Sequence, residues 1–406
     1  MTAAPNDATS GATAPRVSSR KRGFFAVELL DNRFPALHGM RFAAIVSVVA
    51  FHVTEIFTGT GLKLDPAFVA QSLTLYFGMD LFFVLSGFLI GSILLRSLAK
   101  AGSTELRRFY LRRIFRTFPP YYVVLTILAV TTPLSSAQHH HLVWEYVYGT
   151  NFLSQDPGQS VMPWAWSLAL EEQFYLVIPF IFLALNQLRT ARARVVLVSV
   201  FFFSALAVRF FLYRRHDGPW FPWELSRAIY FQTYTRFDPL VMGILLAILH
   251  DAYGPAIARW LQAPFHRALM ALPALAFAWL LSQPLMFGYE WLNVVNLLCW
   301  GTLTGLTYLG LIPLAIYGDG WLARAMSWPL FRWLSSLSYG VYLLHPPIID
   351  RIVLPVAHVA QARGWSMLVV WPGALTAAVA LSVAGGYVLH VIVEKTALRI
   401  RQRLAA

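Results

Sequence analysis

Apolar residues in this chain gather into blocks close to twenty long, parted by short polar stretches, and that spacing limits the fold more than any other feature. A helix rises ~1.5 Å per residue, so a block of this length covers a hydrocarbon core ~30 Å thick. The blocks fall at about 41–57, 72–95, 118–134, 165–187, 194–213, 229–250, 268–286, 294–317, 331–354 and 367–393. Hydrophobic residues make up 58% of 406 positions and charged residues 13%, whereas a soluble domain carries about a quarter charged residues. A water-soluble globule of this size has nowhere to hide so much apolar surface. The expected fold is therefore an all-α, polytopic membrane helix bundle of about ten transmembrane helices.

The net charge of +13 raises nucleic acid as a partner, so the positions of the basic residues decide. With the amino terminus inside, inner segments carry Lys and Arg over outer ones by about three to one, as cytoplasmic loops do. Both termini are expected in the cytoplasm, and nucleic-acid binding becomes unnecessary. Arg209, Arg214, Arg215, Arg227 and Arg236 run against the rule, and are expected either to face an anionic acceptor or to snorkel to lipid headgroups. Residues 1–35, rich in Ala, Thr, Ser and Pro, read as a flexible cytoplasmic tail without a signal-peptide core; 36–395 form the membrane domain, and 396–406 a short cytoplasmic tail. The single cysteine, Cys299, lies in an apolar run, so no disulfide framework or thiolate metal site is expected.

Ionisable groups inside spanning helices cost at least ~2.5 kcal/mol each on insertion scales, which makes every one a candidate for function. Arg41 and His52 stand eleven residues apart. At ~100° per residue that is close to three full turns, so both share one helix face with ~16 Å between them along the axis. A cation at the inner mouth and a base near mid-bilayer suit coenzyme A, whose thioester hangs on a long arm far from its phosphates. The second block holds Asp80 toward its outer end, with Ser86 and Gly87 further in, where small residues let helices approach. Asp80 is expected at the depth of His52, orienting the imidazole and raising its basicity, with Glu55 as a rival.

After the second block, Arg113 and Arg116 fall on one helical face of a basic amphipathic strip, a site for anionic lipid heads or for nucleotide phosphates. The fourth block opens with two adjacent carboxylates, Glu171 and Glu172, which packing alone does not explain. Arg236 with Asp238, and Tyr339 with His345, are further polar points that qualify as substrate contacts, Arg236 and Asp238 equally as an internal ion pair. His139, His140 and His141 lie in a loop without a companion carboxylate, so no metal is expected.

Five runs in order resemble the acyltransferase type 3 family of integral membrane O-acyltransferases over about 34–395. They are Arg41 with His52, Gly78 to Ile90, Arg113 with Arg116, Trp166 to Tyr175, and Ser338 to His345. The resemblance implies that His52 is essential for transfer, that Arg41, Arg113 and Arg116 handle acyl-CoA, and that Glu172 belongs to the active centre. Two places depart from the family pattern: His38 stands where an Asp is common, and Thr396 where a Pro is common. Some relatives add an extracellular hydrolase-like domain, and none is expected here.

The expectation is an enzyme of the bacterial cytoplasmic membrane that moves an acyl group, taken as acetyl, from acyl-CoA to a hydroxyl of an envelope glycan or glycolipid. His52 would act as base, with Asp80 or Glu172 holding its tautomer. Its partners would be acyl-CoA, the hydroxyl acceptor and membrane lipids. Acylation of a glycosylated metabolite such as a macrolide is the nearest alternative, and a proton-coupled transporter or flippase the alternative from another class.

Overall fold

The computed structural model describes residues 25–101, 103–153, 158–215, 226–282 and 290–404. Among the described residues the chain is helical, with no strand, and nine helices are long and apolar enough to cross a membrane. The principal helices are α1 (Pro35–Gly59), α2 (Phe77–Ala101), α3 (Ser103–Thr131), α4 (Trp166–Asn186), α5 (Ala191–Arg215), α6 (Asp238–Trp260), α7 (Pro264–Ser282), α8 (Glu290–Tyr317), α9 (Ser338–Ile348), α10 (Met367–Leu389) and α11 (Lys395–Leu404). The seventh expected span, 268–286, falls on α7 and runs on into residues outside the described ones.

Local chemistry sets the helix starts. Pro35 and Pro239 occupy first turns, where a missing N–H removes no helical bond. Asp65 caps the short helix Pro66–Leu73 that leads into α2, accepting from Phe68 N at 3.0 Å. Ser135 and Gln138 form a reciprocal capping box ahead of Ser136–Tyr146.

Two boundaries differ from the hydropathy reading. The sixth span begins at Asp238 instead of 229, because Pro239 fixes the first turn there; Ser226–Tyr230 and Thr233–Arg236 form separate short turns before it. The ninth begins at Ser338 and continues to Ala362 through a wide turn at Ile349–Val353, just past Pro346 and Pro347. Apolar content alone does not mark such breaks, since the chain stays apolar across them.

Within lipid, tight packing of helices replaces the hydrophobic drive of water-soluble cores. The span containing α2 is 72% buried within the bundle, against 22% for α5, so α2 is central and α5 faces outward. α2 and α6 cross at Gly87 and Gly243: a Cβ on either would overlap backbone of the opposing helix, Leu240 O and Val84 O respectively. The segment 25–34 lies along the end that also carries α11, with Glu28 N donating to His390 Nε2 at 3.0 Å and Leu30 N to Ser336 Oγ at 3.1 Å.

Candidate active site

α1, α2, α3, α4 and α9 converge around a cavity of about 100 Å³ lined by Arg41, Arg113, Arg116, Glu171, Tyr175 and Tyr342 among others. The expected spacing brings the three guanidiniums together: Arg41 opens α1, and Arg113 and Arg116 are one helical turn apart on α3. Arg41 and Arg116 make no ion pair among the described residues, and the Arg113 guanidinium lies over the Tyr175 ring at 4.7 Å from its centroid. Glu171 is the one carboxylate in the lining, and it accepts from the Tyr175 hydroxyl one turn along α4. Three cations against one anion leave the cavity positive, and guanidinium forks match phosphate oxygens. The residues present therefore fit an anionic, phosphate-bearing donor.

The cavity ends against Tyr342, whose hydroxyl sits 2.5 Å from Ser167 Oγ and donates to Trp164 O at 2.7 Å. One turn further along α9 is His345, fully buried, with Nδ1 2.7 Å from Tyr342 O. Its Nε2 lies 3.1 Å from His52 Nδ1, and the two ring centroids are 4.8 Å apart. His52 Nδ1 is also 2.9 Å from Val48 O of its own helix. His52 is half-buried and does not line the arginine cavity, whereas Tyr342 and Ser167 do. His345, expected as a substrate contact, is thus the direct neighbour of His52.

Asp80 does not orient His52. Its carboxylate pairs with Arg236 at 2.5 Å and accepts from Trp300 Nε1 at 2.6 Å, all three side chains buried. Comparable depth had made Asp80 and His52 natural partners, but the turn at Thr233–Arg236 delivers a guanidinium to Asp80 instead. Arg236 and Asp238 are likewise internal rather than substrate contacts. Asp238 pairs with Arg209 at 2.8 Å, and Arg209 also donates to Leu298 O, Thr235 O and Thr302 Oγ1. Arg209 and Arg236 oppose the charge rule because they answer buried carboxylates, not lipid heads.

Glu172 sits beside the Thr117 hydroxyl, next to Arg116 in sequence, in a surround that includes Tyr148 and Tyr339. Among the described residues it makes no bond to His52. Tyr339 lines the arginine cavity and donates to Thr117 O at 2.9 Å. Glu145 shapes the approach to α4, accepting from Val161 N at 2.7 Å and Met162 N at 2.8 Å while burial pushes its carboxyl pKa up. No group of three metal-ligating side chains occurs among the described residues; His139 and His141 bond to Ser135 O and Gln159 O.

Sequence reasoning singled out Glu171 beside Glu172 without giving it a role, and passed over Tyr175, Ser167 and Tyr342 as site residues. The four-residue spacing of Glu171 and Tyr175 was a usable signal, since it places both on one helix face. A second, larger cavity of about 340 Å³ lies between α7 and α8, but its lining, including Leu269, Met270, Phe277 and Leu306, offers no titratable group.

Comparison with known proteins agrees in kind. The family described as "Acyltransferase domain" (Acyl_transf_3) matches residues 34–388. A peptidoglycan O-acetyltransferase of Listeria monocytogenes is 27% identical over 353 residues, covering 82% of this chain and 51% of that protein. A putative peptidoglycan O-acetyltransferase of Bacillus subtilis is 26% identical over 357 residues, with the same shares, and a putative O-acetyltransferase of Staphylococcus aureus is 26% identical over 341 residues, 78% of this chain and 51% of the other. The chain spans about half the length of these curated relatives. No solved structure matches it.

Proposed function

We propose, from the premise that this chain belongs to the Acyl_transf_3 family of acyltransferase domains, that it carries an acetyl group from acetyl-CoA to a hydroxyl of a cell-envelope glycan or glycolipid. The observation that carries this reading is the cavity lined by Arg41, Arg113 and Arg116, two of them without an ion-pair partner among the described residues, whose lining includes Tyr342, one turn of α9 from His345 of the histidine pair. Relatives named as peptidoglycan O-acetyltransferases supply the choice of acetyl and of a glycan acceptor. The excess of basic residues at the arginine end supports a cytoplasmic side for that end, in the bacterial cytoplasmic membrane.

Arg41, Arg113 and Arg116 bind phosphate oxygens of the donor, and Glu171 with Tyr175 holds the Arg113 plane in place. Glu172 steadies the same wall through Thr117. At about 100 Å³ the cavity is smaller than the ~300–1,000 Å³ typical of whole-ligand sites, so it takes the phosphate portion. The bound donor supplies a thioester carbonyl as the electrophile. The Ser167–Tyr342 contact opens to admit the donor's arm toward His52. His52 takes the acceptor hydroxyl proton as the new C–O bond forms, then returns it to the departing thiolate as the C–S bond breaks. Asp80 has no part in this, because its carboxylate is committed to Arg236 and Trp300.

The test is direct. Purified protein in lipid nanodiscs, given acetyl-labelled acetyl-CoA and peptidoglycan fragments or glycolipid, should yield an alkali-labile acetyl ester. Absence of transfer to any hydroxyl acceptor, with acetyl-CoA leaving thermal stability unchanged, would refute the reading.

A further inference from the structure

We infer that His345 is a positioning residue that fixes the tautomer of His52, keeping the proton on Nδ1 and leaving Nε2 as the bare, reactive nitrogen. The inference rests on the proposal that His52 is the base.

The chain of reasoning begins with a proline. In a continuous helix the N–H of residue 346 would bond to the carbonyl of residue 342, but Pro346 has no N–H. Tyr342 O is therefore left without its helical donor in a buried stretch of α9, and His345 Nδ1 occupies that place at 2.7 Å. A carbonyl only accepts, so His345 Nδ1 carries a proton. In a neutral imidazole the other nitrogen then offers a lone pair.

That lone pair, on His345 Nε2, points at His52 Nδ1 from 3.1 Å. His52 Nδ1 meets a second acceptor, Val48 O, at 2.9 Å. With acceptors on both sides, the nitrogen between them must be the donor, shared across two bonds. Its partner His52 Nε2 has no hydrogen bond among the described residues, and so retains the lone pair needed to receive a hydroxyl proton. His345 is fully enclosed, which keeps water from competing for its Nε2. Asp-to-His orientation in other acyl-transfer sites achieves the same end with a charge. Here a neutral ring and an orphaned carbonyl perform it, without placing a carboxylate in the membrane.

The full chain, labelled with 15N-histidine and reconstituted in bilayers, allows the tautomer to be read by solid-state NMR, the His52 resonances being those lost in His52→Asn. The expected result is a protonated Nδ1 and a non-protonated Nε2. In His345→Ala the resonances should divide between both tautomers, and kcat should fall by about 10²-fold or more with KM for acetyl-CoA unchanged. His345→Gln, whose amide oxygen accepts in place of the ring nitrogen, should recover at least roughly a tenth of the wild-type kcat. A protonated Nε2 in the wild-type protein overturns the inference even if the variants fail to fold. So does a His345→Ala protein with unaltered tautomer, or a His345→Gln protein no better than His345→Ala. Failure of the underlying reading looks different: His52→Ala would keep its turnover while the wild-type tautomer remained as described.

Discussion

Two groups of charges lie buried in this membrane protein, and they are built on opposite plans. Among α2, α5, α6 and α8 the carboxylates of Asp80 and Asp238 meet the guanidiniums of Arg236 and Arg209 one for one; Trp300 donates a further bond to Asp80, and Thr302 and two backbone carbonyls accept from Arg209. So closely is the space filled that a Cβ on Gly301 would press on both Asp238 and Arg236. Where α2 meets α1, α3, α4 and α9, three arginines share a cavity with one carboxylate, and a histidine pair follows one turn along α9. Matched charge holds a fold together in lipid; unmatched charge beside a cavity waits for a ligand. The contrast separates ionisable groups with a buried counter-charge from those that face a cavity, which residue type and depth do not.

Substitutions can break that division. The largest effect on turnover is expected from His52→Ala, a fall of about 10²–10⁴-fold in kcat, with unfolding temperature unchanged. If Asp80 belonged to the catalytic group after all, Asp80→Asn would match that loss in a stably folded protein. Asp80→Ala should instead act on stability, costing about 3–5 kcal/mol by stranding Arg236, as read from unfolding in detergent. Replacing both partners by Leu and Met should restore most of it. Arg116→Gln is expected to raise KM for acetyl-CoA about tenfold, roughly 1.4 kcal/mol, while sparing stability. A large stability loss there would erase the distinction between the two groups. Smallest is Tyr175→Phe, which removes the hydroxyl bond to Glu171 but keeps the ring under Arg113, and should change KM by only about two- to threefold.

Much of this was legible from residues alone. Blocks near the bilayer length foretold the helices. Helical spacing put Arg113 and Arg116 on one face, and both line a cavity with Arg41, a meeting that spacing alone did not dictate; His52, expected to work from the same cavity as Arg41, lies outside its lining. Asp80 was misassigned because depth along two antiparallel helices is readable, while the direction of a side chain across the bundle is not. The same blindness hid the pairing of Arg209 with Asp238, 29 residues apart, and of His52 with His345, 293 apart.

What the chain by itself determined is one-dimensional: periodicity, length of apolar runs, and which residues share a helix face, all consequences of ~1.5 Å and ~100° per residue. Which face meets which is a tertiary matter. It depends on where glycines let backbones touch, as at Gly87 and Gly243, and where prolines release a carbonyl, as Pro346 does for Tyr342. Those contacts chose Arg236 for Asp80 and His345 for His52, because a buried polar group settles with the nearest complementary atom that packing delivers.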